Sequence, residues 1–184
     1  MDVAVLWVGV NDVLAKLSTG HAMLKRLMRQ PRARDLEQFA DVYKRTLETL
    51  CQRASLVLAL SPLFIGEDLA NDWNRRLEDL CEVVASVSAA FKNVQYMDLR
   101  RALAERLATE RASDYLPTRV ASIARDCVFL RTPGRVDEVS SRRGLHLTLD
   151  GVHLNSAGAQ AVAAELRRAI ERPRPRVESV ARRP

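Results

Sequence analysis

Val3-Ala4-Val5-Leu6-Trp7-Val8-Gly9-Val10-Asn11-Asp12 opens the chain with an almost unbroken apolar run that stops on a glycine and two turn-forming polar residues. A short continuous run of this kind predicts a strand buried on both faces, as in a parallel sheet. Leu56-Val57-Leu58-Ala59-Leu60 repeats the pattern and is stopped by Ser61-Pro62, and the shorter Val94-Gln95-Tyr96-Met97 leads into Asp98-Leu99. Helical periodicity fills the intervals. A helix from about Asp35 to Ala54 places Leu36, Phe39, Ala40, Tyr43, Leu47 and Leu50 on one stripe, and one from about Ala70 to Ala90 aligns Trp73, Leu77, Leu80, Val84 and Phe91. A third runs from Leu99 to about Ala112. The last, Ala157 to Glu171, is expected to bury Ala159, Val162, Ala163, Leu166 and Ile170, and Pro173 ends it. Strands alternating with helices of this length predict parallel β-α units in a layered α/β fold.

The stretch from Ser113 to Leu147 is the least regular. It holds a candidate helix (Thr118 to Arg125), an apolar patch (Cys127 to Leu130) and a polar loop with Pro133, Gly134 and Gly144, and it is the place to look for a binding loop. A hydrophobic content of 47% with 28% charged residues fits one ordinary globular domain. The net charge of +6 is concentrated at one end, because residues 167–184 hold seven arginines against two glutamates. Prolines 173, 175 and 184 break any helix there, so 172–184 reads as a disordered basic tail that solubilises the protein or touches anionic surfaces. Cys51, Cys81 and Cys127 are widely spaced and odd in number, which points to core thiols rather than a disulfide framework. The N-terminus has Asp2 where a secretory signal would carry positive charge, but a true start upstream would carry any signal, so localisation stays open, and is cytoplasmic if Met1 is the start.

In an open α/β sheet, ligands gather at the carboxyl ends of the strands. Asn11 follows the first strand there, Ser61-Pro62 follows the second, and Asp150-Gly151-Val152-His153 precedes the last helix. An Asp three residues before a His can hold the imidazole in one tautomer and stabilise the imidazolium. An Asn side-chain amide can donate to a developing oxyanion. Each segment also reads as a plain turn, the second with Asn155 or Ser156 capping the next helix. His146, Asp150 and His153 form a weak metal-ligand pattern that lacks a fourth partner, and His21 falls in a polar connector. There is no Gly-x-Ser-x-Gly elbow and no glycine-rich phosphate loop.

Gly9-Val10-Asn11-Asp12 and Asp150-Gly151-Val152-His153-Leu154-Asn155 resemble the third and fifth sequence blocks of the SGNH (GDSL) hydrolase superfamily. Ser61 to Glu67, Trp73-Asn74 and Asp98-Leu99 add to the likeness, which covers residues 2 to 171. The resemblance implies a three-layer α/β/α, flavodoxin-like parallel sheet, here N-terminally incomplete with about three strands visible. It implies a domain over 1–171 that lacks its first two β-α units, followed by the basic tail over 172–184. It also implies a carboxylic ester hydrolase acting on a small-molecule ester through a serine acyl-enzyme, with no cofactor and no metal. His153 would be the general base, Asp150 its orienting partner and Asn11 an oxyanion donor, while Gly9 shapes the turn and Asp12 braces it. The family's nucleophile sits in a Gly-Asp-Ser block on an earlier strand; none stands in this chain, and neither Ser18 nor Ser61 has that context. An incomplete sheet would leave Val3 to Val8 as an exposed apolar edge, open to self-association. If Met1 is the true start, the alternative is a non-catalytic remnant or a partner-dependent interaction module.

Overall fold

The computed structural model describes residues 2–14, 16, 33–111, 113–116 and 133–171. The candidate helix at 118–125, the patch at 127–130, His21, Cys127, Ser18 and the basic tail lie outside the described residues. Among the described residues three strands, β1 (Val3–Trp7), β2 (Leu56–Leu60) and β3 (Val94–Met97), form one parallel sheet in the order β1-β2-β3. Val3 pairs with Leu56, Trp7 with Leu60, Val57 with Val94 and Leu60 with Met97. All three strands therefore end on the same edge.

The helices are α1 (Val10–Leu14), α2 (Leu36–Cys51), α3 (Asp72–Ala89), α4 (Leu99–Leu107), α5 (Pro133–Arg142) and α6 (Ser156–Glu171). The starts of α2, α3 and α4 follow from their caps. The side chains of Asp35, Asn71 and Asp98 accept the backbone N–H groups of Gln38, Asn74 and Arg101, each relieving a donor that the first helical turn leaves unpaired.

β2 shows how the layers divide. Val57 faces one side, where α1, α2 and α3 contribute Val13, Leu14, Phe39, Tyr43, Leu47, Leu77, Leu80 and Val84. Leu56, Leu58 and Leu60 face the other, against Leu99, Leu103 and Leu107 of α4 and Ala161, Val162 and Ala169 of α6. That alternation is the two-residue period of a strand covered on both faces. β1 is different. Ala4 and Leu6 are buried, but Val5, Trp7 and Val8 are 48%, 37% and 44% exposed, and β1 has a strand partner on one side among the described residues. No helix among the described residues is long and apolar enough to cross a membrane.

Several expectations need correction. α6 buries Gly158, Ala161, Val162 and Ala169, whereas Ala159, Ala163 and Ile170 are exposed. Its inward face is chosen by close backbone approach: a Cβ on Gly158 would lie 2.0 Å from the Leu147 carbonyl oxygen. Leu36 is exposed at the start of α2 because the stripe that meets the sheet begins at Phe39. α4 stops at Leu107, well short of Ala112. The expected polar loop around Pro133 and Gly134 is instead α5, which Pro133 can begin because the first helical position needs no N–H donor. Asn11 follows β1 as expected and lies in the first turn of α1.

Gly158→Ala should destabilise the fold by about 1–3 kcal/mol through the forced separation of α6 from Leu147, roughly 2–10 °C in Tm for a chain of this size. Gly134→Ala is the control. A Cβ there meets nothing within 4 Å, so this α5 substitution should leave Tm unchanged or raise it in the same thermal melt.

Candidate active site

The exit of β1 turns sharply. Gly9 has φ +118, a conformation closed to most side chains, and a Cβ on it would lie 2.6 Å from Leu80 Cδ2 and 3.0 Å from Pro62 Cγ. The turn feeds α1, where Asn11 is exposed and Asp12 Oδ1 accepts the backbone N–H of Ala33 at 2.8 Å. Asp12 thereby ties this corner to the chain entering α2.

The exit of β2 is buried throughout, from Ser61 to Glu67. The Ile65 peptide within it is satisfied from α3 and its cap residue. Asn74 Oδ1 accepts the Ile65 N–H at 3.0 Å, and Asn74 Nδ2 donates to the carbonyls of Ile65 and Asp68 at 3.1 and 2.9 Å. Asn71 Nδ2 donates to the same two carbonyls at 2.8 and 2.7 Å. Neighbouring strand ends join in. Trp7 Nε1 donates to the Ser61 carbonyl at 3.1 Å, and Ser61 Oγ accepts the Arg100 N–H at 3.0 Å. The Gly66 N–H then donates to the Gly151 carbonyl at 2.7 Å, which brings the β2 exit against the loop before α6.

That loop is a tight hairpin. Thr148 bridges to Leu154, the Leu149 N–H donates to the His153 carbonyl at 2.7 Å, and the Asn155 N–H donates to the Leu147 carbonyl at 3.1 Å. At its tip, Asp150 Oδ1 accepts the N–H groups of Val152 and His153 at 3.0 and 2.8 Å, and Asp150 Oδ2 meets His153 Nδ1 at 2.8 Å. The carboxylate is buried while the imidazole is 71% exposed, so the ring can meet a ligand arriving from solvent. Burial alone would push the Asp150 carboxyl up, but the His153 ring and the two amides outweigh it and hold it below the usual range. The same hydrogen bond raises the His153 pKa, against the opposing effect of its partial burial.

Glu67 anchors the base of the hairpin. It is buried, and it accepts the N–H groups of His146, Leu147 and Thr148 at 2.7, 2.9 and 2.8 Å together with the Thr148 hydroxyl at 2.7 Å. Asn155 closes the other end. Its Oδ1 accepts the Gly158 N–H at 2.9 Å as the N-cap of α6, and its Nδ2 donates to Ser140 Oγ at 2.7 Å and to the His146 carbonyl at 3.1 Å. Arg143 Nη1 donates to the Leu149 carbonyl at 3.0 Å, with its guanidinium 4.7 Å from the centre of the Tyr115 ring.

The structure thus brings Asp150 and His153 into direct contact, and it connects them to the turn at Gly9 through the buried β2 exit. His146 does not join them. Its ring lies 3.2 Å from the Arg111 carbonyl and 3.6 Å from Glu110, away from the Asp150 carboxylate that a shared metal would need. Among the described residues no group of three or more His, Cys, Asp or Glu side chains is placed to hold a metal ion. Cys51 and Cys81 are free thiols, and burial pushes Cys81 up to about 11, far from a reactive thiolate. Sequence reasoning gave no role to Glu67, Asn71 or Ser140. Glu67 and Asn74 fall in segments noted only for their family likeness.

A parallel sheet whose strands end together beside an Asp–His hairpin leading into the last helix defines an α/β protein of the SGNH hydrolase fold. The family model of GDSL-like lipases and acylhydrolases matches residues 1–166, and the chain belongs to that family. Among curated protein sequences none matches it. Solved structures agree on the fold. The acetylxylan esterase Axe2 from Geobacillus stearothermophilus superposes with a TM-score of 0.60 at 17% identity, covering 94% of this chain and 60% of that one. LAE5, an alpha/beta hydrolase enzyme from the metagenome of Lake Arreo, Spain, superposes with a TM-score of 0.56 at 16% identity, covering 90% of this chain and 57% of that one. The chain therefore spans less than two thirds of the length of either.

Asp150→Asn should lower the titration midpoint of His153, which stands above the ordinary imidazole value of about 6.5, as followed by NMR of the ring protons. The sign for stability follows from linkage. A raised His pKa contributes stability that is fully present below about 6.5 and is lost as pH rises through the folded value, so Asp150→Asn should destabilise more at about pH 5.5 than at about pH 8.5. The depressed Asp150 pKa adds a second contribution, present above the ordinary carboxyl value of 3.8 and lost as pH falls through the lower folded value. Urea melts of both proteins across this range measure the difference.

Proposed function

We propose that the chain carries the acid–base half of a carboxylic ester hydrolase, with a serine nucleophile supplied from outside residues 1–184. The observation that supports this best is the 2.8 Å contact between the buried Asp150 carboxylate and the exposed His153 ring, beside the exit of β2. With Nδ1 held by Asp150, the neutral ring carries its proton there and leaves Nε2 as the base. The serine oxygen attacks the ester carbonyl while its proton passes to Nε2. Asn11 donates to the oxyanion that forms. Collapse of that intermediate breaks the bond to the alkoxide, which takes the proton from His153 and leaves as the alcohol. Water then adds to the acyl-serine with its proton again moving to Nε2, and the acid departs as the serine is restored. Small acetyl esters are the first substrates to try, because a structural neighbour of this fold is an acetylxylan esterase.

The test uses the protein expressed with its natural upstream reading frame and p-nitrophenyl acetate as substrate. His153→Ala should lower kcat by roughly 10³-fold or more, and Asn11→Ala by roughly 10²- to 10³-fold. The acid limb of the rate profile should lie above about pH 6.5, since the base works only when deprotonated. Ester turnover indifferent to His153→Ala would sink the assignment.

A second reading, in which the chain acts as an interaction module, is favoured by β1. Its exposed Val5, Trp7 and Val8 stand beside an apolar cavity of about 320 Å³ lined by Leu6, Val8, Phe39, Val42 and Tyr43. Such an edge lacks the charges or prolines that usually guard against pairing. On this reading, residues 1–184 form a dimer through β1, and Val5→Lys returns them to the monomer mass in light scattering. A monomer that binds no second chain would exclude it.

A further inference from the structure

We infer that Glu67 is a positioning residue for the Asp150–His153 pair, acting from the end of β2 through Thr148 and Gly151. The inference rests on the reading of His153 as the base. Glu67 is 2% exposed, and its two oxygens divide the work. Oε2 accepts the His146 N–H, and Oε1 accepts the Leu147 and Thr148 N–H groups and the Thr148 hydroxyl. With its proton committed to Glu67, Thr148 Oγ1 presents a lone pair to the Gly151 N–H at 3.1 Å. The Gly151 carbonyl is held in turn by the Gly66 N–H at 2.7 Å.

Both polar groups of Gly151 are therefore fixed by residues 66 and 67, one directly and one through Thr148. Gly151 is the residue between the Asp150 side chain and the two amides which that side chain accepts. Its orientation decides whether Asp150 Oδ2 points at the ring. The acceptor must be a carboxylate, because four donors converge on it and an ionised group bonds them most strongly. In Glu67→Gln one oxygen becomes an NH₂ group, and a donor then faces a donor at His146 or at Thr148.

The experiment is an NMR titration of the His153 ring in residues 1–184 for Glu67→Gln, Thr148→Val and Thr148→Ser, with Asp150→Asn setting the scale. The expected result is a His153 midpoint displaced toward the ordinary value in Glu67→Gln and Thr148→Val, and unchanged in Thr148→Ser, which keeps the bridging hydroxyl. A purely structural role would lower Tm and leave the midpoint where it is. An unmoved midpoint in folded Glu67→Gln overturns the inference, and if that variant fails to fold, an unmoved midpoint in Thr148→Val does so. The two readings fail separately. A displaced midpoint alongside turnover that ignores His153→Ala rejects the hydrolase and keeps the loop mechanics. An unmoved midpoint alongside turnover that needs His153 rejects the role of Glu67 alone.

Discussion

Residues 61–67 are buried without belonging to a helix or strand, so beyond the Ser61 N–H, which still donates to the Met97 carbonyl of β3, their peptide groups need partners outside the sheet. This constraint organises the edge at which the described strands end. Asn74 on α3 and its cap residue Asn71 meet the Ile65 peptide, Gly66 turns its N–H to the hairpin before α6, and the buried Glu67 side chain accepts the hairpin's own amides. The segment that follows the central strand is thus the floor on which the other loops rest. Its neighbours at Trp7 and Arg100 bond to Ser61, so the ends of all three strands are coupled through one short stretch of chain.

The hairpin sorts its Asp–His pair by solvent. Asp150 is held inside by two amides and a ring nitrogen, all donors that favour the ionised form. His153 stands outside, with one nitrogen engaged and the body of the ring accessible. Desolvating both would penalise the protonated, charged ring, and exposing both would screen their interaction. Burying the fixed charge and exposing the titrating one avoids each penalty.

What could be read from the sequence follows the range of the interactions involved. β2 announces itself through five apolar residues closed by Ser61-Pro62, because burial on both faces needs only composition. Asp150 and His153 were legible because they lie three residues apart and the turn between them holds a glycine. Glu67 was not, since its partners stand about 80 residues away and nothing in Ile65-Gly66-Glu67 marks that carboxylate as buried. The inward face of α6 escaped for a related reason. Hydrophobic periodicity favoured Ala159, Ala163 and Ile170, but the helix turns by the closeness of Gly158 to the Leu147 carbonyl. α5 was hidden by its composition, in which Gly134 and the arginines and acidic residues outweigh a thin apolar face.

The tip of the hairpin also bears on how the molecule ages. Asp-Gly is the Asp-containing dipeptide most open to isoaspartate formation, in which the glycine nitrogen attacks the preceding carboxyl and reroutes the main chain through the side chain. Here the Gly151 nitrogen is directed to Thr148 Oγ1, and the Asp150 carboxylate is ionised and fully engaged by its own amides and the ring. Neither reactant can reach the other while the loop keeps its shape. The native bonding that aligns the imidazole therefore also shields its partner from slow covalent damage. Loosening the hairpin, even briefly, exposes the chain at the one position where a rerouted backbone would carry His153 out of register.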